Sequence, residues 1–237
     1  MKAFMAEYEP IPPKLLACFT SAVEDLERRL SRRSAKLEDE NVPADLRQWL
    51  DGDDEPLDWQ GRGVTPDEYF FITTIYGTMT LDGQRTMIRK FFGPLFVKAA
   101  KRDIRSFRSD LGGYTGLRSG WMKARLCKMG ALLRRNGISM SQYVAELRRL
   151  EKKASPDNPT PALDRIVSDH GATGVKTLSV FVRDCVGGNC FPIDSRVEKQ
   201  LRKYRLPVDE ILLVRMSLAT GKNPRKLARI FYEADWW

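Results

Sequence analysis

The sequence predicts an all-α protein. Helix-start signals recur along the chain, prolines and glycines fall where helices would begin or end, and the alternating apolar–polar patterns typical of strands are scarce. The 237 residues can form one large domain or two small ones, each with its own hydrophobic core.

The first helix-start signal is Thr65-Pro66-Asp67-Glu68, which combines an N-cap residue, a proline at the first helical position and a capping-box acid. The residues that follow, 69–76, are rich in threonine, isoleucine and aromatic side chains, a composition that also suits a strand. The capping box favours a buried helix at this point.

Further helices are predicted in the second half of the chain. The capping box Ser139-Met140-Ser141-Gln142 predicts a helix that ends before the proline-rich linker 154–161. We then expect a short helix at 162–167, a turn at Asp169–Gly174, a helix at 175–186, a loop at 187–193 and a helix from about Asp194. Pro207 and Pro224 suit the first turns of two last helices, 208–219 and 224–234.

The chain carries a net charge of +9, and its basic residues are concentrated in two segments. Residues 85–135 hold fourteen bases and two acids, and residues 195–237 hold ten bases and five acids, whereas residues 37–58 hold nine acids and one base. This distribution suits a surface that binds phosphates, because each phosphate contact releases counterions. A solvated helix face carries similar charge runs, so both interpretations stay open.

Several classes of protein are disfavoured by single features. His170 is the only histidine, which argues against a metal site built from histidines and against any catalytic triad that lacks this residue. Four cysteines are too few for a disulfide scaffold. Cys185 and Cys190 are expected to be thiols that pack in the interior and not zinc ligands, because two further ligands are missing. The chain contains no apolar run of the roughly 20 residues that a membrane helix needs and no export signal at its start, so we expect a cytoplasmic protein.

The most informative segment for chemistry is 170–177, HGATGVKT. Gly171 and Gly174 bracket a tight turn between two predicted helices, and glycine allows the close backbone approach that such a turn needs. The free amides at the start of the second helix would suit a DNA phosphate. Lys176 lies in that first turn, where the helix dipole and nearby cations disfavour the ammonium form and so favour a nucleophilic amine.

Asp194 follows Lys176 by 18 residues, at the predicted start of the next helix. This spacing lets the chain traverse a helix and return, so that both side chains can face one cleft. Simpler roles stay open, because Lys176 can contact a phosphate without catalysis and Asp194 is a good helix N-cap. The segment differs from a Walker A loop, which follows a strand and places its lysine directly after a glycine.

This pair resembles the functional centre of the helix-hairpin-helix (HhH-GPD) DNA glycosylase superfamily, of the endonuclease III and 8-oxoguanine glycosylase type. The family's hairpin reads roughly L-P-G-V-G-x-K-T, and its aspartate lies in a V-D-T/V-H-V-like stretch. Here Gly174-Val175-Lys176-Thr177 matches the end of the hairpin, and 193–197 matches the aspartate stretch. The family's first hairpin glycine falls on Ala172, and the four cysteines lack the position and spacing of the family's iron–sulfur cluster.

Two upstream segments resemble further parts of the same family. Residues 75–82 align with its I-L-S-x-Q-x-x-D segment, whose glutamine often fills the gap left by an extruded base, and Met79 stands at that position. Residues 116–124 resemble its G-L/F-Y-x-x-K-A stretch, in which Lys123 matches the lysine. Met79 suits either a core position or a wedge in the base stack.

The resemblance implies two helical subdomains with the active site in the cleft between them. A six-helix barrel would span 66–193 and contain the helix-hairpin-helix motif at about 162–186, and residues 1–65 together with 194–237 would form the companion domain. It also implies Lys176 as the nucleophile and Asp194 as the catalytic carboxylate. The residues implied in DNA contact are Gly171, Thr173, Gly174, Thr177, Met79 and Lys123.

The resemblance predicts a bifunctional DNA glycosylase and AP lyase of base-excision repair, which flips out and excises a damaged base. The first candidate base is 8-oxoguanine, and the second is an oxidised pyrimidine or a mismatch. The chemistry requires no cofactor or metal, although the family implies that a monovalent cation can bind the hairpin carbonyls. The partner would be damaged double-stranded DNA, bound by a monomer at the nucleoid, or in the nucleus if the source is eukaryotic. Two alternatives stay open, a monofunctional glycosylase for mismatched or alkylated bases and a non-catalytic helix-hairpin-helix DNA-binding module.

Overall fold

The structure is a computed structural model that describes residues 8–34, 65–76, 105, 120–170 and 175–234. Within these ranges the chain forms helices joined by turns and loops, with one isolated bridge between Ser155 and Asn158 and no β-strand. The all-α class predicted from the sequence is therefore confirmed for this part of the chain.

The helices are numbered in chain order. They are α1 (Pro13–Ser34), α2 (Pro66–Tyr76), α3 (Gly120–Asn136), α4 (Met140–Glu151), α5 (Pro161–His170), α6 (Val175–Phe181), α7 (Ser195–Lys203), α8 (Glu210–Ala219) and α9 (Pro224–Glu233). A single π-helical turn, Val182–Val186, continues α6. None of these helices is both long and apolar enough to cross a membrane.

Helix α4 begins at the predicted capping box. The Ser139 hydroxyl accepts a hydrogen bond from the backbone amide of Gln142 at 3.2 Å, and the Gln142 side chain accepts one from the backbone amide of Ser139 at 2.7 Å. These two bonds satisfy amides that have no partner inside the helix, so the sequence pattern by itself places the helix start.

The ambiguous segment after Thr65 is the helix α2. Its Tyr69, Phe70 and Phe71 are each no more than 3% exposed, and the buried Thr73 hydroxyl bonds the carbonyl oxygen of Tyr69 at 3.0 Å. A helix buried on most of its surface needs apolar residues all round, which explains why its composition also suits a strand.

Three features differ from the prediction: two helix boundaries, and the geometry of one helix whose bounds were predicted correctly. The turn expected at Asp169–Gly174 begins later, because α5 continues through His170; residues 171–174 lie outside the described residues. The helix expected at 175–186 changes to a π turn at Val182, where the amide of Gly187 bonds the Val182 carbonyl at 2.9 Å.

The third difference is the start of α8. Its N-cap is Asp209, whose carboxylate accepts a hydrogen bond from the amide of Leu212 at 3.0 Å. The prediction that Pro207 lies in the first turn of this helix is therefore wrong. Pro207 precedes the helix, because the carboxylate of Asp209 caps the first amides two residues later. Pro224, by contrast, stands at the start of α9 as predicted, after the N-cap Asn223.

The buried apolar side chains form two clusters. The central cluster contains residues from α2 to the π turn, together with Cys190, and the terminal cluster contains residues of α1 and of the chain from Phe191 onward. Helix α5 packs against α4 and α6 in the central cluster, and α9 packs against α1, α7 and α8 in the terminal cluster. The predicted subdomain limits and the cleft between the subdomains stay predictions.

Candidate functional site

Lys176 is the second residue of α6 and is half-buried. Burial lowers the pKa of its amine from the ordinary value of 10.5, and the guanidinium of Arg183 lowers it further. The carboxylate of Asp194 acts in the opposite direction, because a nearby negative charge favours the ammonium form. The net effect is that Lys176 has a larger neutral fraction near neutral pH than an exposed lysine has.

Asp194 is the N-cap of α7. Its Oδ1 accepts hydrogen bonds from the backbone amides of Arg196 at 3.0 Å and Val197 at 2.9 Å, and its backbone is extended. The N-cap role predicted for this residue is confirmed. Within the described part of the chain its second oxygen, Oδ2, accepts no hydrogen bond, so the cap uses only one side of the carboxylate.

The amine of Lys176 and the carboxylate of Asp194 interact through space. The negative charge of Asp194 partly offsets the lowering of the Lys176 pKa. Among the described residues, however, the two groups form no direct salt bridge with each other. Their separation is therefore set by the backbone segments that carry them, α6 and the loop 187–194, and not by contact between the side chains.

Arg183 and Asp184 form a buried ion pair beside this site. The Arg183 Nε and Nη2 atoms donate to the two carboxylate oxygens of Asp184 at 2.6 and 2.9 Å, and the side chains are only 10% and 7% exposed. The Tyr69 hydroxyl donates to the same carboxylate at 2.5 Å. Burial and the Asp184 carboxylate hold the pKa of Tyr69 well above its usual range. The network fixes the Arg183 guanidinium, whose charge acts on Lys176.

Sequence reasoning missed this ion pair. Arg183 and Asp184 lie in a segment that reads as an ordinary helix, and the π turn that holds them has no sequence signature in this chain. The available signal was an arginine and an aspartate within an otherwise apolar stretch, since buried charges in proteins are almost always paired.

The loop before Asp194 is held by two carboxylates from outside it. Glu151, the last residue of α4, accepts hydrogen bonds from the backbone amides of Asn189 at 2.6 Å and Ala162 at 3.2 Å. Glu210, the first residue of α8, accepts one from the amide of Phe191 at 2.9 Å. Burial raises the pKa of both carboxyls, and the backbone hydrogen bonds oppose this shift. Neither contact has a signal in the sequence, because the partners are distant in the chain.

The predicted hairpin is described only on its flanks. Gly171, Thr173 and Gly174 lie outside the described residues, but α5 and α6 on either side pack against each other. Thr177 accepts a hydrogen bond from Nη1 of Arg125, a residue of α3 that is 5% exposed. A side-chain hydrogen bond therefore joins α3 to α6.

His170, the last residue of α5, is 4% exposed, and its ring centroid lies 5.7 Å from that of Phe70. Its backbone carbonyl accepts a hydrogen bond from the Lys128 amine at 3.2 Å. Burial, with the nearby charges of Arg125 and Lys128, lowers the pKa of His170 to about 4. The imidazole is therefore neutral near neutral pH, and it is a buried side chain at the end of α5.

Two further predicted contact residues are not placed by the structure. Met79 lies outside the described residues, as does the segment 116–119. Lys123 belongs to α3, but its side chain is not described. Their predicted contacts with DNA stay predictions.

No metal site is found among the described residues, where no group of three or more histidine, cysteine, aspartate or glutamate side chains is arranged to hold an ion. The four cysteines are free thiols. Burial raises the pKa of the Cys185 thiol to about 12 and holds that of Cys190 well above its usual range, so both stay protonated near neutral pH.

Comparison of the chain with protein families, curated proteins and solved structures finds no match. The site combines a half-buried amine with a lowered pKa, a helix-capping carboxylate that acts on it, and a buried guanidinium beside them.

Proposed function

We propose that this protein is a DNA glycosylase with associated AP-lyase activity, which excises a damaged base through a covalent intermediate on Lys176. The observation that carries the proposal is the pairing of Lys176 with Asp194. A half-buried amine with a lowered pKa, at the start of the second of two packed helices, interacts with a carboxylate 18 residues later.

The lowered pKa matters because only the neutral amine is a nucleophile. Lys176 Nζ attacks C1′ of the sugar, and the N-glycosidic bond breaks with its electron pair leaving on the base, which takes up a proton. Loss of a proton from the nitrogen and opening of the sugar ring give a Schiff base between Lys176 and C1′. Removal of a C2′ proton then expels the 3′ phosphate by β-elimination, and water releases the lysine.

Asp194 supplies a negative charge where the sugar becomes positive. In the transition state for loss of the base, positive charge develops on C1′ and the ring oxygen, and a fixed carboxylate stabilises it. The helix cap holds this carboxylate by its Oδ1 atom. The absence of a direct salt bridge to Lys176 among the described contacts suits two groups that act on a third atom between them.

The charge of the chain supports DNA as the partner. A base within the duplex cannot be reached by the amine, so it must be extruded, and this costs a few kcal/mol that weakly paired lesions partly offset. The net charge of +9 and the fourteen bases of residues 85–135 favour binding to the bent phosphate backbone. We propose a monomer that acts on damaged duplex DNA at the nucleoid, or in the nucleus of a eukaryote, with 8-oxoguanine as the first candidate base.

Borohydride trapping tests the proposal. The protein is incubated with duplexes that each carry one lesion or one abasic site, and a covalent complex is expected with at least one of them. Lys176→Gln should abolish the complex, whereas Lys153→Gln, which removes an exposed lysine charge in the turn after α4, should leave it unchanged. The trapping rate should rise with pH and level off below the usual lysine range, because burial lowers the pKa of Lys176.

The outcomes separate the alternatives. Full trapping by Lys176→Gln would refute the assignment of the nucleophile. Base release without trapping would indicate a monofunctional glycosylase, and duplex binding without base release from any lesion would indicate a non-catalytic DNA-binding module.

A further inference from the structure

Glu210 joins the segment that carries Lys176 to the segment that carries Asp194. Its Oε1 atom accepts a hydrogen bond from the hydroxyl of Ser179 and another from the backbone amide of Phe191, the latter at 2.9 Å. Ser179 lies three residues after Lys176 in α6, and Phe191 lies three residues before Asp194 in the loop. One carboxylate oxygen therefore holds both segments.

This contact also links the two hydrophobic clusters. Glu210 belongs to α8, which packs in the terminal cluster, whereas Ser179 belongs to α6, which packs in the central cluster. Ser179 and Phe191 are both fully buried, at 0% exposure. The two donors are thus shielded from water and the Glu210 carboxylate is partly buried, a setting in which hydrogen bonds to a carboxylate are stronger than at the open surface.

Packing alone does not require a carboxylate at this point. An apolar side chain of similar volume would fill the space without the cost of removing a charge from water. Burial raises the pKa of Glu210, and the bonds from Ser179 and Phe191 together with the charge of Arg183 oppose that shift. What the carboxylate adds is a common acceptor for two donors on two different segments.

We propose that Glu210 is a positioning residue that sets the distance between the Lys176 amine and the Asp194 carboxylate; its effect on catalysis rests on the function proposed above. Among the described contacts these two groups form no direct salt bridge with each other. Because their side chains do not hold each other, the relative placement of α6 and the loop decides their separation, and Glu210 is bonded to both.

A titration of Lys176 tests this role without reference to any reaction of the protein. The pH dependence of trace acetylation, read by mass spectrometry of the peptide that contains Lys176, gives the pKa of its amine. Asp194→Asn should lower this pKa, because it removes the charge that raises it. In the Glu210→Ala background, Asp194→Asn should lower the pKa of Lys176 by about half as much or less, because the Lys176 amine and the Asp194 carboxylate are no longer held near each other.

Two milder variants keep the test decisive if Glu210→Ala does not fold. Ser179→Ala removes one of the two donors and should shrink the Asp194→Asn shift by a smaller amount. Glu210→Gln keeps an oxygen acceptor at the same place and should retain most of the shift. Glu198→Gln, which breaks an exposed ion pair with Arg202, serves as the control and should leave the shift unchanged. The proposal would be overturned if Asp194→Asn lowered the pKa of Lys176 in both the Glu210→Ala and the Ser179→Ala backgrounds by at least as much as it does in the unsubstituted protein.

Kinetics then separate this proposal from the proposed function. If the protein excises bases, Glu210→Ala should slow single-turnover excision about 10- to 100-fold with unchanged affinity for DNA, because a small misplacement of reacting groups has effects of this size. Loss of DNA affinity with an unchanged rate would contradict the positioning role. If the titration behaves as expected but no lesion is excised, Glu210 still positions the pair and the proposed function fails.

Discussion

Asp194 caps α7 and has a proposed chemical role, and two substitutions separate the two roles. Its Oδ1 atom accepts the amides of Arg196 at 3.0 Å and Val197 at 2.9 Å. A helix N-cap contributes about 1 kcal/mol, with a range of about 0.5–2 kcal/mol, and asparagine caps about as well as aspartate. We expect Asp194→Ala to lower the free energy of unfolding by about 1–2 kcal/mol and Asp194→Asn by about 0.5 kcal/mol or less.

The proposed chemistry predicts a different order. Both substitutions remove the negative charge that would stabilise the sugar cation, so both should slow base release by about 100-fold or more. The stability loss of Asp194→Ala corresponds to a fall in Tm of about 2–4 °C for each kcal/mol in a chain of this size. Only the alanine variant should therefore be both unstable and slow.

Urea denaturation followed by circular dichroism, run beside single-turnover base release, measures both effects. Asn223→Ala is the matched control, because it removes the N-cap of α9 and should cost about 1 kcal/mol without slowing base release. Equal destabilisation by both Asp194 variants would show that the charge, and not the cap, stabilises α7. Undiminished base release by Asp194→Asn would leave this residue as a cap alone.

Three further substitutions test the surroundings of the site. Asp184→Ala should lower the free energy of unfolding by about 3–5 kcal/mol, because it leaves the buried Arg183 guanidinium without its partner; a loss below about 1 kcal/mol in urea denaturation would contradict this. Gly188→Ala should lower the free energy of unfolding by about 1–3 kcal/mol, because the new Cβ would lie 2.6 Å from Val182 Cγ1. If that clash is the cause, the double variant Gly188→Ala/Val182→Ala should lose less stability than the sum of the two single variants. The pKa of His170 is lowered in the folded protein, so the unfolded chain takes up a proton at this residue first as the pH falls. The free energy of unfolding should therefore fall by about 3 kcal/mol between about pH 6.5 and about pH 4. In urea denaturation the His170→Phe variant should lose correspondingly less stability over this pH range.

The features that the sequence predicted well are local. The start of α4 at Ser139 and the cap of α7 at Asp194 depend on hydrogen bonds between residues two or three positions apart, and both are present in the structure. The helical state of α2 was predicted from the same kind of signal, although its buried residues also suit a strand. Short-range bonds of this kind form wherever the pattern occurs, which is why they can be read from the chain.

The features that the sequence did not predict depend on residues that meet only in the fold. The π turn at Val182–Val186 is one such feature, because no local pattern in the chain announces it. The start of α8 at Glu210 is a different case: the Asp209 carboxylate that caps it is a local signal, and the prediction based on Pro207 passed over it. The effect of Arg183 on Lys176 was also not predicted. The network with Asp184 and Tyr69 holds the Arg183 guanidinium where its charge lowers the pKa of Lys176.

The chain by itself determined the capped starts of α4 and α7, and it placed a lysine in the first turn of α6 and an aspartate at the cap of α7. Tertiary structure alone decided how deeply Lys176 is buried, which charges surround it, and that Glu210 ties its helix to the loop of Asp194. The reason is physical: a helix cap is satisfied within a few residues of chain, whereas desolvation and Coulomb interactions depend on everything that packs around a group, however distant in sequence.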